Sequence, residues 1–110
     1  MKSYTDLGQS KKLAKILPSE SADMCWTPFD EKWDAYLGSP NPDAIKKEIQ
    51  CWSLAALLDV LPKIHGLKPI LDLEEISIQY SGVNDGYVVA DNPVDACVDM
   101  IERLHELNLL

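Results

Sequence analysis

Cysteine and histidine are the residues of this sequence whose chemistry could serve a metal site or a nucleophilic reaction. The three cysteines and two histidines are Cys25, Cys51, Cys97, His65 and His105. No two of them have the Cys-x₂₋₄-Cys or His-x₃₋₅-His spacing that begins a tetrahedral zinc site. His105 follows Cys97 by about two helical turns, which is too far for its imidazole to activate the thiol. The spacing therefore predicts thiols that pack as small hydrophobic side chains, with no metal, no cofactor and no catalytic cysteine.

Paired carboxylates are the second group that could do chemistry, as general acids and bases. The closest pairs along the chain are Glu74/Glu75, Asp95/Asp99 and Glu102/Glu106. Acid–base catalysis requires one carboxylate of a pair to be desolvated, whereas the two i,i+4 pairs fall on the polar face of a predicted helix. The sequence also has no glycine-rich phosphate loop, no Gly-x-Ser-x-Gly motif and no His-Glu-x-x-His motif. These patterns favour a protein that is not an enzyme.

A third feature is aromatic. Phe29, Trp33 and Tyr36 stand four and three residues apart and are flanked by acidic residues. On a short helix, predicted from Thr27-Pro28 to near Gly38, they would form one aromatic stripe edged with acid. Such a stripe either packs on the core or stays partly exposed as a partner-binding surface, because Trp and Tyr dominate interface hot spots. The candidate partner-binding residues are therefore Phe29, Trp33 and Tyr36, and both alternatives stay open at this point.

Capping residues and hydrophobic periodicity predict the helices that would position these side chains. The first helix begins at Thr5 or Asp6 and ends near Leu17, before a proline. The last begins at Asn92-Pro93 and is the clearest, because apolar residues recur at helical spacing as far as Leu104. Its polar residues form the opposite face, so this helix is expected to cover a sheet or another helix.

The middle of the chain permits two interpretations. Asn41-Pro42 can start a helix that runs through Ile49, and Ser53 can cap a second helix that ends at Pro62. The apolar residues between 42 and 61 also fit one continuous helix. A break near Cys51 is the favoured interpretation.

Strands are predicted where apolar and polar residues alternate. "SADMCW" indicates a short strand with one buried face, and "EISIQY" alternates in the same way. "SGVNDG" forms a hairpin turn that leads to "YVVA", which is apolar on both faces and is expected to be a central strand. Residues 1–110 are therefore predicted to form a single α+β domain, with a small antiparallel sheet of about three strands covered by three to four helices.

Composition and charge narrow the class of partner. The chain is 46% hydrophobic and 25% charged, as in ordinary globular proteins, and it has no apolar run long enough for a membrane span. Its net charge is −8, and only a few lysines near residues 2–15 form a basic cluster, so nucleic-acid binding is not expected. The N-terminal residues have no hydrophobic stretch typical of a secretory signal, and the odd number of cysteines suits a reducing compartment. A cytoplasmic location is expected.

Three segments together resemble a known group of proteins. "QSKKLAKILPSESADMCW", "CWSLAALLDVLP" and "NPVDACVDMIERLHELNLL", in this order and spacing, are similar to small uncharacterised proteins carried by prophages of gut bacteria. The resemblance covers about half of the chain, and residues 29–50 depart most from the pattern. It implies a phage-related origin, and it brings no activity, cofactor or catalytic residue.

These observations lead to two hypotheses of different classes. The first is a small phage- or prophage-related protein that acts as a non-enzymatic binding or adaptor module, with an unknown protein partner and possible homo-oligomerisation. The second is an enzyme or metal-binding protein whose site is assembled from distant Cys, His, Asp or Glu residues. A metal-content assay distinguishes the second from the first.

Overall fold

The fold belongs to the α+β class, as predicted. The computed structural model describes residues 2–29, 32–38 and 48–110. Within them the α-helices are α1 (Leu7–Leu13), α2 (Leu54–Val60) and α3 (Pro93–Glu106). The strands are β1 (Met24–Phe29), β2 (Lys32–Leu37), β3 (Ile49–Cys51), β4 (Ile70–Asp72), β5 (Ser77–Gln79) and β6 (Tyr87–Val89). The described strands form two three-stranded antiparallel sheets, in the orders β2-β1-β3 and β4-β5-β6, where the sequence predicts one sheet.

The first helix begins where its capping residues predict. The Asp6 side chain accepts from the backbone N–H of Gln9, and the Gln9 side chain accepts from the backbone N–H of Asp6, which forms a capping box. The regular helix ends at Leu13, four residues before the predicted end. The chain then tightens into i→i+3 bonds, such as Ile16 N–H to the Leu13 carbonyl, because Pro18 follows closely.

β1 and β2 pair as antiparallel strands, so the helix predicted from Thr27-Pro28 to Gly38 is wrong. Met24 pairs with Leu37 at one end of this strand pair, and Phe29 pairs with Lys32 at the other. Aromatic and β-branched residues favour a β-strand when a neighbouring strand is available for pairing. Pro28 is tolerated on the β2 side because the hydrogen-bonding phase turns its nitrogen away from β2. Among the described residues, β3 pairs with β1 as far as Trp26.

The segment before α2 resolves the question of one helix or two. Ile49 lies in β3, so the continuous helix over 42–61 is wrong, and the helix predicted from Asn41-Pro42 does not reach Ile49. The rest of that helix lies outside the described residues. The second helix is confirmed, since the Ser53 hydroxyl accepts from Ala56 N–H and α2 starts at Leu54.

The second sheet contains the predicted hairpin of β5 and β6, and also β4, which the sequence does not predict. β5 is the middle strand, so the expectation that "YVVA" is central is wrong. Val88 is buried, whereas Tyr87 and Val89 are exposed, because β6 has one covered face only. Ile76 has a φ of 57°, a left-handed conformation that ends the alternation predicted for "EISIQY" one residue before β5 begins.

The main core lies between α3, α2 and the inner face of the second sheet. Its fully buried members include Trp52, Leu57, Ile78, Val94, Cys97, Ile101 and Leu104. The amphipathic pattern of α3 is thereby confirmed, because the helix packs on β5, β6 and α2. None of the helices in the described part of the chain is both long and apolar enough to cross a membrane.

Candidate functional site

The three cysteines lie in the interior, as their spacing predicts. Cys25, Cys51 and Cys97 are free and buried, and burial raises the pKa of each thiol above its ordinary value. For Cys97 burial raises the pKa to about 12. A raised pKa keeps the thiol protonated and unreactive at neutral pH. The cysteines therefore behave as small core residues.

Among the described carboxylates, Glu48 interacts with Cys25 and, after burial, is a minor cause of the raised pKa of that thiol. His65 and His105 are both exposed, the latter in the last turn of α3. No group of three His, Cys, Asp or Glu residues among those described has the geometry to hold a metal ion.

A buried polar cluster near the N-terminus ties α1 to the first sheet. The Thr5 hydroxyl contacts the Ser10 hydroxyl at 2.7 Å and accepts from Trp52 N–H at 3.1 Å. The indole N–H of Trp26 donates to the Thr5 carbonyl and to Ser10, at 3.2 Å in each case. Every buried side-chain nitrogen and oxygen of the described residues has a partner. The cluster is therefore structural, because it offers no unsatisfied group to a ligand.

The residues of the predicted aromatic stripe lie on β1 and β2. In the β1–β2 register Trp33 stands opposite Pro28 and Tyr36 stands opposite Cys25. Because residues alternate between the two faces of a sheet, Trp33 belongs to the row of Trp26, whereas Phe29 and Tyr36 belong to the other row. Whether the side chain of Phe29, Trp33 or Tyr36 contacts a partner stays a prediction.

Several exposed apolar residues lie on the second sheet. Its outer face, which is turned away from α3, carries Ile70, Asp72, Ser77, Gln79, Tyr87 and Val89. The exposed fractions are 62% for Ile70, 53% for Val89 and 41% for Tyr87. Leu73, in the turn after β4, is exposed as well. Gln79 and the buried Ser77 of β5 lie between Ile70 and the two β6 residues. Exposed large apolar side chains on one face of a sheet are typical of binding surfaces.

One polar interaction fixes the position of Tyr87 on this outer face. The Tyr87 hydroxyl donates to the Glu75 carboxylate, whose other oxygen accepts from the Ser77 hydroxyl at 3.2 Å. The hydrogen bond to Glu75 is the main reason why the pKa of Tyr87 is raised. The hydrogen bond restrains the Tyr87 side chain, which lowers the entropy lost when a partner packs on it.

A groove of about 280 Å³ runs between α3 and the edge of β6 that pairs with no described strand, which we call the free edge of β6. We call the groove itself the β6 groove; the helical residues that line it are Asp99, Glu102, Arg103 and Glu106. The Arg103 guanidinium donates to the backbone carbonyls of Tyr87 at 2.8 Å and Asp85 at 3.1 Å. Burial, followed by the nearby Asp95 charge, raises the pKa of Asp99. The groove is therefore acidic, and its single arginine is bound to the strand backbone.

The sequence contains weak signals for this surface. The alternation of Tyr87, Val88 and Val89 fits an edge strand with one buried residue as well as it fits a central strand. Arg103 lies on the polar face of α3, and nothing in the sequence indicates that its side chain contacts β6. No family model, curated protein or solved structure matches this chain.

Proposed function

We propose that this protein is a non-enzymatic protein-binding module and that its binding surface is the outer face of the second sheet. The observation that carries the proposal is the exposure of Ile70, Tyr87 and Val89 on one face of the second sheet. Removal of such apolar area from water stabilises a complex by roughly 25 cal/mol per Å² before the costs of association are subtracted.

Chemical features of the interior support a binding role over catalysis. The thiols are buried with raised pKa values, and the buried hydroxyls are hydrogen-bonded to neighbouring residues. The chemistry-bearing groups thus stabilise the fold, while the exposed apolar residues are left to contact a partner.

The biological setting is part of the same proposal. The resemblance to prophage proteins supports an adaptor that serves a phage or prophage and acts on a host or phage protein. Three free thiols support a reducing compartment, and hence the cytoplasm.

The test is affinity capture from the native cell, with and without prophage induction, followed by mass spectrometry. We compare the wild type with Ile70→Glu and Val89→Glu on the outer face, and with Leu37→Glu as the matched control. Leu37 is 85% exposed and lies on the first sheet. The proposal expects a protein that wild type and Leu37→Glu retain and that both outer-face variants lose, with unfolding curves that stay cooperative. A captured set that is unchanged by the outer-face variants would refute it.

A further inference from the structure

We infer that the partner binds as an extended segment of alternating apolar and basic residues, which adds a fourth strand to the second sheet at the free edge of β6. This inference rests on the proposed function and specifies the chemistry and geometry of the partner. It is carried by three features of β6 and its surroundings: the direction of the backbone groups, the two kinds of surface beside the strand, and the charge of the β6 groove.

The backbone of β6 offers hydrogen-bonding groups on its outer side. Tyr80 N–H donates to the Gly86 carbonyl and Ala90 N–H donates to the Ile76 carbonyl. These two bonds set the phase of the β5–β6 ladder. The backbone N–H and C=O groups of Val88 therefore point toward β5, and those of Tyr87 and Val89 point away from it. An added strand would find two N–H donors and the Val89 carbonyl in the standard pairing direction.

Arg103 covers part of this edge in the absence of a partner. Its guanidinium donates hydrogen bonds to the carbonyls of Tyr87 and Asp85. A charged side chain on an edge strand commonly protects a sheet against unwanted strand pairing. The N–H groups of Tyr87 and Val89 are not covered in this way. A partner strand would therefore pair first at Val89 and would compete with Arg103 for the carbonyl of Tyr87.

The two surfaces beside β6 dictate the side chains of the added strand. Alternate residues of that strand would extend the outer face, next to the exposed Tyr87 and Val89, where apolar side chains are favoured. The residues between them would face the β6 groove, where Asp99, Glu102 and Glu106 lie. Lysine or arginine is favoured there, because the opposite charges attract in a partly desolvated groove. The alternation of apolar and basic residues follows from the pleat of the sheet.

A second copy of this chain fits the edge less well than a basic partner. Two β6 strands paired edge to edge would bring the Asp99, Glu102 and Glu106 carboxylates of both copies close together. The chain carries a net charge of −8, so this apposition adds like-charge repulsion to the cost of association. The basic residues of α1 lie on a helix and do not form an extended strand.

The test uses two synthetic peptides of about seven residues with blocked ends, a length typical of strands. One alternates valine with lysine, and the other alternates valine with glutamate. Titration into the ¹⁵N-labelled protein, followed by two-dimensional NMR, is expected to show binding of the lysine peptide only. The shift changes should centre on β6 and the facing side of α3, and affinity should fall about tenfold or more in 0.5 M salt. Absence of binding, or equal binding of both peptides, would overturn the inference.

Val89→Pro tests the backbone pairing directly. The Val89 N–H points away from β5, so proline removes the donor needed by an added strand while the β5–β6 ladder stays intact. We expect a loss of affinity of about tenfold or more. Val89→Thr is the matched control, since it keeps the N–H and the β-branched shape, and it should bind within about threefold of wild type. Wild-type affinity in a folded Val89→Pro variant would overturn the inference.

Arg103→Ala supplies a second measurement that does not depend on the proline variant. Removal of the guanidinium frees the Tyr87 carbonyl and makes the β6 groove more acidic, so affinity for the lysine peptide should rise several-fold. Weaker binding would contradict strand addition at β6, and so would concentration-dependent dimers paired through β6 in light scattering. If Ile70→Glu loses the captured cellular partner while Val89→Pro retains it, the proposed function stands and strand addition fails.

Discussion

Replacement of a buried thiol by a hydroxyl tests whether the cysteines act as core residues. Cys97 and Cys51 are both 0% exposed, yet their surroundings differ in a way that predicts different costs for the same change. The Sγ of Cys97 makes no hydrogen bond with the residues that the structure describes, and it lies in the apolar core on α3. The Sγ of Cys51 lies 3.5 Å from the Thr5 carbonyl and 3.6 Å from the Thr5 hydroxyl.

The expected magnitudes follow from the hydrogen bonds available to each serine. A buried hydroxyl without a partner costs about 1–3 kcal/mol, and a serine at 97 has only the carbonyl one turn earlier in α3 as a partial remedy. Cys97→Ser should therefore destabilise the protein by about 2 kcal/mol. At 51 the Thr5 carbonyl can accept from the new hydroxyl after a small adjustment, so Cys51→Ser should cost less than about 1 kcal/mol.

Urea unfolding followed by tryptophan fluorescence measures both costs, with an unchanged dependence on urea concentration as the check for a native-like fold. The wild type should also react slowly with a thiol reagent until it unfolds. Equal costs for Cys97→Ser and Cys51→Ser would refute the role assigned to the Thr5 cluster. Rapid reaction of Cys97 in the native state would refute its burial.

The raised pKa of Cys97 adds a dependence on pH with a definite sign. An ordinary thiol has a pKa of 9.0, and burial raises that of Cys97 to about 12. The stability contributed by the neutral thiol is complete below about pH 9 and is lost as the pH rises toward the folded value, because the unfolded chain ionises first. Cys97→Ala should flatten this alkaline loss of stability.

Four further predictions concern two charged groups, the aromatic stripe and metal. Asp95→Ala should destabilise the protein by about 1–2 kcal/mol at neutral pH. Burial opposes ionisation of Asp95, but hydrogen bonds from Lys2, Gln9 and Asn92 outweigh it and lower the pKa of Asp95. The difference between variant and wild type should therefore vanish in unfolding curves as the pH falls through the lowered pKa. Asp99→Asn should stabilise at neutral pH and lose that advantage at acid pH, since the pKa of Asp99 is raised. Trp33→Ala should lower the free energy of unfolding by less than about 1 kcal/mol and abolish partner capture if Trp33 is an interface residue, or lower it by about 3–5 kcal/mol if Trp33 is a core residue. Addition of a chelator should leave the melting temperature unchanged.

Elements with their own caps were predictable because their signals are local. Asn92 accepts from Asp95 N–H and Pro93 takes the first helical position, so the start of α3 follows from short-range chemistry. The same holds for Asp6 before α1 and for Ser53 before α2. Helix ends were less predictable, as α1 shows, because they depend on how the chain turns into the next element.

The pairing of β1 and β2 was not predicted because its cause is not local. A helical spacing of Phe29, Trp33 and Tyr36 is compatible with either element, and the choice depends on pairing between the two strands. The buried side of β1 also depends on tertiary context, since Cys25 and Met24 are both buried although they alternate. Sequence periodicity does not contain this information.

The candidate surface on the second sheet depends on contacts between distant parts of the chain. β4 is a three-residue strand whose pairing with β5 gives it its structure, and a pattern that short carries almost no periodicity. The contact of Arg103 with the Tyr87 carbonyl spans sixteen residues and follows from the packing of α3 on β6. The acidic groove and the free edge were therefore visible only once the fold had placed them side by side.

The two edges of the second sheet are protected by different means, and this difference assigns strand addition to β6. On β4, the backbone N–H and C=O groups of Ile70 and Asp72 point toward β5. The backbone groups of Pro69 and Leu71 therefore point toward the open side of the sheet. Proline has no N–H to offer, and this protection is permanent. The protection on β6 is the Arg103 side chain, which a partner can displace by rotation about single bonds. Of the two edges, β6 is therefore the one that Arg103 can protect against nonspecific strand pairing and that becomes available to a specific partner strand when Arg103 is displaced.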